Sequence, residues 1–132
     1  MTLVDTNVAI DVLTADPVWL DWSVEALRSI RGRGSAFVNG VTYAELAARY
    51  DAEDALYGDL RDLGIRLERM PQTALFRAGR AHAAYRAAGG PRTSLLADFF
   101  IGAHAEAAGL AILTRDPRRY RTYFPDVPLI TP

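Results

Sequence analysis

Residues 95–116 read LLADFFIGAHAEAAGLAILTRD, and the parsing of this stretch decides the fold. Leu95 to Leu113 approaches the length of a membrane span, but Asp98, His104 and Glu106 lie inside it and Gly109 divides it. The reading that accommodates these residues is a buried helix from Leu95 to Ala108 with Ser94 ahead of it, a stop at Gly109, and a buried strand from Leu110 to Leu113.

The rest of the chain repeats that alternation. Short apolar runs at Thr2–Val4, Ala36–Val38, Ile65–Leu67 and Pro128–Ile130 read as further strands. Between them, Val8 to Leu13 reads as a first helix. Trp19, Trp22, Val24, Leu27 and Ile30 carry helix-spaced apolar positions behind Asp16-Pro17, a capping residue and a first-turn proline. Val41–Arg49, Ala52–Leu63 and Gln72–Ala88 read as helices, the second ended by Gly64 and the third by Gly89-Gly90-Pro91. Strands alternating with helices imply parallel pairing, because parallel neighbours need crossover connections, and a sheet covered on both faces. The expectation is an α/β fold, one domain over residues 1–132, with about five strands in a mainly parallel sheet flanked by helices.

Composition agrees. A chain of 132 residues, half of them hydrophobic and 23% charged, buries a core without a disulfide or structural metal, and cysteine is absent. The N-terminus lacks a basic region followed by an apolar signal core, which leads to the expectation of a cytoplasmic protein with no membrane partner. A net charge of −1 argues against broad electrostatic adhesion to nucleic acid, so any polyanion must be held locally. All 15 basic residues are Arg, which removes every mechanism that requires a lysine.

Working sites of parallel α/β sheets lie beyond the carboxyl ends of the strands. Two strand ends carry acids there: Asp5 after "TLV" and Asp116, with Thr114, after "LAIL". Asp5 has a functional address as well as a capping one; the combined reading gives its carboxylate to a metal and the helix cap to Thr6 or Asn7. Glu45 lies in "VTYAELAARY" soon after the second strand, and Asp98 sits in the first turn of its helix among Phe99, Phe100 and Ile101, where an unpaired acid is costly. If Asp5, Glu45, Asp98 and Asp116 converge, mutual repulsion raises their pKa values unless a cation holds them ionised. Oxygen ligands suit Mg²⁺ or Mn²⁺ better than zinc, and His82 and His104 lack the paired spacing of a zinc site and read as core or surface residues. Asp11, neither at a strand end nor in a motif, reads as surface charge.

The series "VDTNV", "TYAEL" and "LLADFFIGAHAEAAGLAILTRD", closed by a short final strand, resembles the PIN domain, specifically the VapC toxin ribonucleases of bacterial toxin-antitoxin pairs, across essentially the whole chain. The resemblance implies a PIN-like three-layer sandwich. It matches Asp5, Glu45, Asp98 and Asp116 to the acids around Mg²⁺ or Mn²⁺, Thr114 to a Ser/Thr before the last acid, and Thr6 and Asn7 to polar residues beside the first. It further implies an endoribonuclease acting on structured RNA such as tRNA, inhibition by a cognate VapB-like antitoxin, and a homodimer. Many relatives carry Asn or another polar residue where this chain has Asp116.

"TRDPRRYRTY" sets Arg115, Arg118 and Arg119, with two tyrosines, near the proposed metal; guanidinium groups pair with phosphates and aromatic rings stack on bases. The alternative is a solvated turn whose arginines pair with nearby acids. Trp19, Trp22, Leu27, Leu46 and Tyr50 are candidates for a groove holding an antitoxin helix or a second subunit, or for core. Phosphotransfer receivers and haloacid-dehalogenase phosphatases also cluster acids at strand ends, but the absence of lysine weakens both. A PIN-like scaffold of weak or lost activity and a non-toxin RNA-processing nuclease stand as the other readings.

Overall fold

The computed structural model describes residues 1–91 and 96–132. In chain order the elements are β1 (Thr2–Val4), α1 (Thr6–Leu13), α2 (Leu20–Arg33), β2 (Ala36–Asn39), α3 (Gly40–Ala47), α4 (Glu53–Asp62), β3 (Ile65–Glu68), α5 (Gln72–Ala87), α6 (Leu96–Ala108), β4 (Ala111–Leu113), α7 (Arg118–Tyr123) and β5 (Leu129–Ile130). The reading of Ser94 and Leu95 at the head of α6 falls outside the described residues. The apolar stretch 95–113 thus divides into helix and strand, and among the described residues no helix is long and apolar enough to cross a membrane.

All five strands pair in parallel, in the order β3-β2-β1-β4-β5. Alternate residues of the inner strands enter different cores. Leu3, Phe37 and Ile112 face a cluster with α5, α6, α7, Phe124 and Val127, whereas Val4, Ala36, Val38 and Leu113 face one with α1 to α4. Burial on both faces accounts for the absence of the polar alternation of a half-exposed strand.

Chain handedness explains the layering. From β1 through β2 to β3 the chain moves toward one edge of the sheet, and right-handed crossovers set α1–α4 on one face. The chain then returns past β1 to β4 and β5, and the same handedness sets α5–α7 on the other face. The reversal falls between β1 and β4, the topological switch point where such sheets open a crevice. Their register aligns Val4 with Leu113, so Asp5 and Thr114 leave the sheet side by side.

Local details correct the sequence reading in three places. Asp16 Oδ1 accepts from the Val18 and Trp19 amides at 2.8 and 2.9 Å, but this forms a separate turn and α2 starts only at Leu20. Helix α3 runs from Gly40 to Ala47 rather than from Val41 to Arg49, and its cap is Asn39, whose Oδ1 accepts from the Val41 and Thr42 amides. Asp11 is no surface charge: it is completely buried, because α2 packs over that side of α1.

Helix α6 passes so close to Phe124 that a Cβ on Gly102 would run into that buried ring, whereas a Cβ on Gly79 in α5 meets nothing. Gly102→Ala is therefore expected to destabilise the protein by about 1–3 kcal/mol through overpacking. Gly79→Ala is expected to stabilise it by about 0.5–1 kcal/mol by reducing the freedom of the unfolded chain. Urea unfolding of the two variants checks the opposite signs.

Candidate active site

Asp5 occupies the N-cap position of α1, yet its side chain makes no capping bond, and neither Thr6 nor Asn7 caps the helix, since both lie within it. The Asp5 carboxylate turns instead across the end of the sheet. Its Oδ2 accepts from Thr114 Oγ1 at 2.6 Å, Asn7 Nδ2 at 3.0 Å and Tyr120 Oη at 3.1 Å, while its backbone amide bonds to Leu113 O at 2.9 Å. Only 4% of the residue is exposed. Burial pushes its carboxyl above the usual range against the Thr114 and Tyr120 hydroxyls and the Thr6 amide, and Glu45 adds to the rise.

Tyr120 is the site residue that sequence reasoning misplaced. Its ring is 1% exposed, so it stacks on no base; it belongs to the core under α7 and presents its hydroxyl to Asp5. Burial, followed by the Asp5 charge, keeps that hydroxyl protonated, which makes it a fixed donor. Tyr123 is likewise engaged, edge-on to Phe99 and Tyr85. An apolar register was the available signal: Tyr120 and Phe124 lie four apart on one helical face.

The other acids come to the same edge from different layers. Asp98 stands in the first turn of α6 with its side chain 28% exposed, and Arg119 Nη1 lies 3.8 Å from its Oδ2. Its carboxyl is pushed up to about 7 by burial first, then by Asp5, Asp116 and Glu45, with Arg119 opposing. Those three carboxylates are thus close enough for Asp98 to feel each of them. Glu45 is exposed on α3, and its Oε2 accepts from Thr6 Oγ1 at 2.5 Å. Asp116 is clamped by Arg118 through two bonds of 2.8 and 2.6 Å, which hold its carboxyl below the usual range.

The structure also separates the predicted RNA contacts. Thr6 is committed to Glu45, and Asn7 bridges Asp5 and Thr114. Arg118 reaches into solvent while paired to Asp116, and Arg119 lies inward beside Asp98. Arg115 points away, its Nε 2.9 Å from Asp11 Oδ2 and its guanidinium over the Trp19 ring. Of the groove candidates, Leu27 and Leu46 are core, and Trp22 and Tyr50 border two different surface pockets. His104 is buried, which depresses its pKa, and His82 packs against Phe99.

Among the described residues no three acidic or imidazole side chains are gathered into a set that would hold an ion as they stand. Their present partners explain this: Asp116 is drawn to Arg118, Glu45 to Thr6 and Asp98 toward Arg119. The donor chemistry nevertheless fits a hard divalent cation, because the cluster is all carboxylate oxygen and its excess negative charge is felt at Asp98.

Asp98 binds its proton more tightly in the folded chain, at about 7, than at its ordinary value of 3.8. Its contribution to stability is therefore complete below the lower value and is lost as pH rises through the upper one. Without metal, the melting temperature of the wild type is expected to fall relative to Asp98→Asn as pH rises from about 4 to about 7. Parallel melting curves against pH would contradict this account of the site.

The sequence matches the PIN domain family over residues 2–125. Among solved structures, a chain of the VapBC2 complex of Rickettsia felis, bound to a DNA fragment from its promoter, is similar at a TM-score of 0.73 and 15% identity, over 98% of this chain and 97% of that one. A chain of VapBC-1 from nontypeable Haemophilus influenzae follows at 0.70 and 17% identity, covering 98% and 96%. A chain of FitAcB from Neisseria gonorrhoeae gives 0.66 and 22%, covering 98% and 96%. At these identities the structural likeness concerns the fold. No curated protein matches the sequence.

Proposed function

The chain belongs to the PIN domain family, and from that premise we propose that it is a Mg²⁺- or Mn²⁺-dependent endoribonuclease, the toxin of a VapBC-type pair. The observation that carries this reading is the coupling of Asp98 to Asp5, Asp116 and Glu45 at the switch point of a parallel sheet. The likeness to chains from VapBC and FitAcB complexes supports a partnership with a VapB-like antitoxin, and cytoplasmic action on structured RNA such as tRNA completes the proposal. Homodimer formation is part of the same proposal.

In this mechanism Asp5, Asp98, Asp116 and Glu45 are the residues that would hold the ion, and a divalent cation, when bound, would supply activation of water and neutralisation of phosphate charge. Thr114, Asn7 and Tyr120 fix the Asp5 oxygen, so that carboxylate needs no reorganisation when substrate arrives. Arg118, largely in solvent, is placed to exchange Asp116 for an RNA phosphate, which would free the Asp116 oxygens. Thr6 orients Glu45 toward Asp5.

Purified protein is expected to cleave RNA with Mg²⁺ or Mn²⁺ and to lose that activity in EDTA. Asp5→Asn or Asp98→Asn should lower turnover by about 100-fold or more while leaving the fold intact by circular dichroism. Equal cleavage in EDTA and Mg²⁺ overturns the mechanism. A metal-binding scaffold would bind the ion without cutting RNA, and sequencing of fragments after brief induction of wild type and Asp98→Asn separates a toxin from a processing nuclease by its targets.

Because Asp98 retains its proton up to about 7, ion binding is expected to displace it. Titration calorimetry of Mn²⁺ at pH 6.5 in buffers of different ionisation enthalpy should therefore show proton release, and Asp98→Asn should abolish most of it.

A further inference from the structure

Asp11 is the one carboxylate of α1 that the proposed chemistry leaves unused, and it is wholly buried. Its Oδ2 receives Ser23 Oγ from α2 at 2.9 Å and Arg115 Nε from the loop after β4, also at 2.9 Å. Among the described residues its Oδ1 has no hydrogen-bond partner, so Arg115 supplies the only positive charge paired to it. The Arg115 guanidinium is covered by the Trp19 ring, 5.4 Å from its centroid. An arginine held between a buried acid and an indole is already engaged, although its side chain is 31% exposed. Separating such a pair strands a charge in the interior, which holds the pair closed.

Arg115 lies between Thr114 and Asp116, and its own amide faces Asn7 Oδ1 at 3.4 Å. One turn along α1 from Asn7 sits Asp11. The loop is therefore fastened to one face of α1 at two heights: Thr114 and the Arg115 amide at Asp5 and Asn7, and the Arg115 side chain at Asp11. We infer that the Asp11–Arg115 ion pair is a latch that sets the position of Thr114 and Asp116 against Asp5, and that Arg115 is a positioning residue rather than an RNA contact. The catalytic meaning of the latch rests on the nuclease reading; its mechanical meaning does not. Trp19 and Ser23 extend the latch into the α1–α2 hairpin, so the packing of that hairpin reaches the reacting groups through one side chain.

Three variants test this: Arg115→Gln, Asp11→Asn and the double substitution. In metal-free, RNA-free protein, amide hydrogen exchange at residues 114–116 should speed up in all three, with protection elsewhere retained in the double variant, which leaves no unpaired charge. In cleavage assays each single variant should lower kcat by about tenfold or more and leave KM within about twofold, and the double should cost no more than the worse single. The double should also recover thermal stability relative to Arg115→Gln without recovering kcat; recovery of both would reduce the pair to a fold-stabilising contact and overturn the positioning role. A rise in KM for Arg115→Gln, with a salt slope reduced by about one and effects additive with Asp11→Asn, would make Arg115 an RNA contact and overturn the proposal. If wild-type protein cleaves no RNA with any divalent ion, the nuclease reading fails by itself; unchanged exchange at residues 114–116 in Arg115→Gln is what removes the latch.

Discussion

A carboxylate sealed from solvent keeps its place only when donors or cations face it, and the architecture of this chain is arranged around one such group, Asp5. Its three donors come from the first turn of α1, the residue after β4, and α7. These lie at opposite ends of the sequence, so the bonds that retain Asp5 also close the N-terminal strand onto the last quarter of the chain. The donors only partly offset the cost of burial, since the Asp5 carboxyl still sits above its ordinary range. That residual cost would fall if positive charge came to stand beside it.

The crossing order of the strands brings the other acids within reach. Reversal of direction between β1 and β4 sets the crevice at their ends. Glu45 enters this gap from α3 and Asp98 from α6, helices that cover opposite faces of the sheet and touch each other at the rim. Arginine takes every cationic role here, and the two residues that follow Pro117 divide the work: Arg118 is extended and solvated, Arg119 is folded inward.

Strands and helices were legible because each buried strand is a short apolar run closed by Gly, Pro or a polar cluster, and the helices have apolar spacing of their own. Three of the candidate acids stood out for a different reason: Asp5 and Asp116 stand at strand ends and Asp98 interrupts an apolar run, whereas Glu45 stood out only through the resemblance carried by "TYAEL". What escaped was everything decided by a distant partner. Asp11 looks like an ordinary helix-surface acid because Arg115, its counter-charge, lies far along the chain. Tyr120 reads as part of a basic, aromatic RNA-binding segment until the core beneath α7 claims its ring. The capping role passed from Thr6 and Asn7 to no side chain at all, because Asp5 satisfies a stronger demand across the sheet.

The two hydrophobic clusters are separated by the sheet, with neighbouring residues of each inner strand assigned to different sides. Each side fixes one wall of the gap, so the distance across the acids is a sum of two independent packings. A methylene added or removed beneath either wall alters that span without touching a charged group. The spacing of the acids is therefore inherited from the chain's oiliest residues, and variation there resets that spacing before any acid is changed.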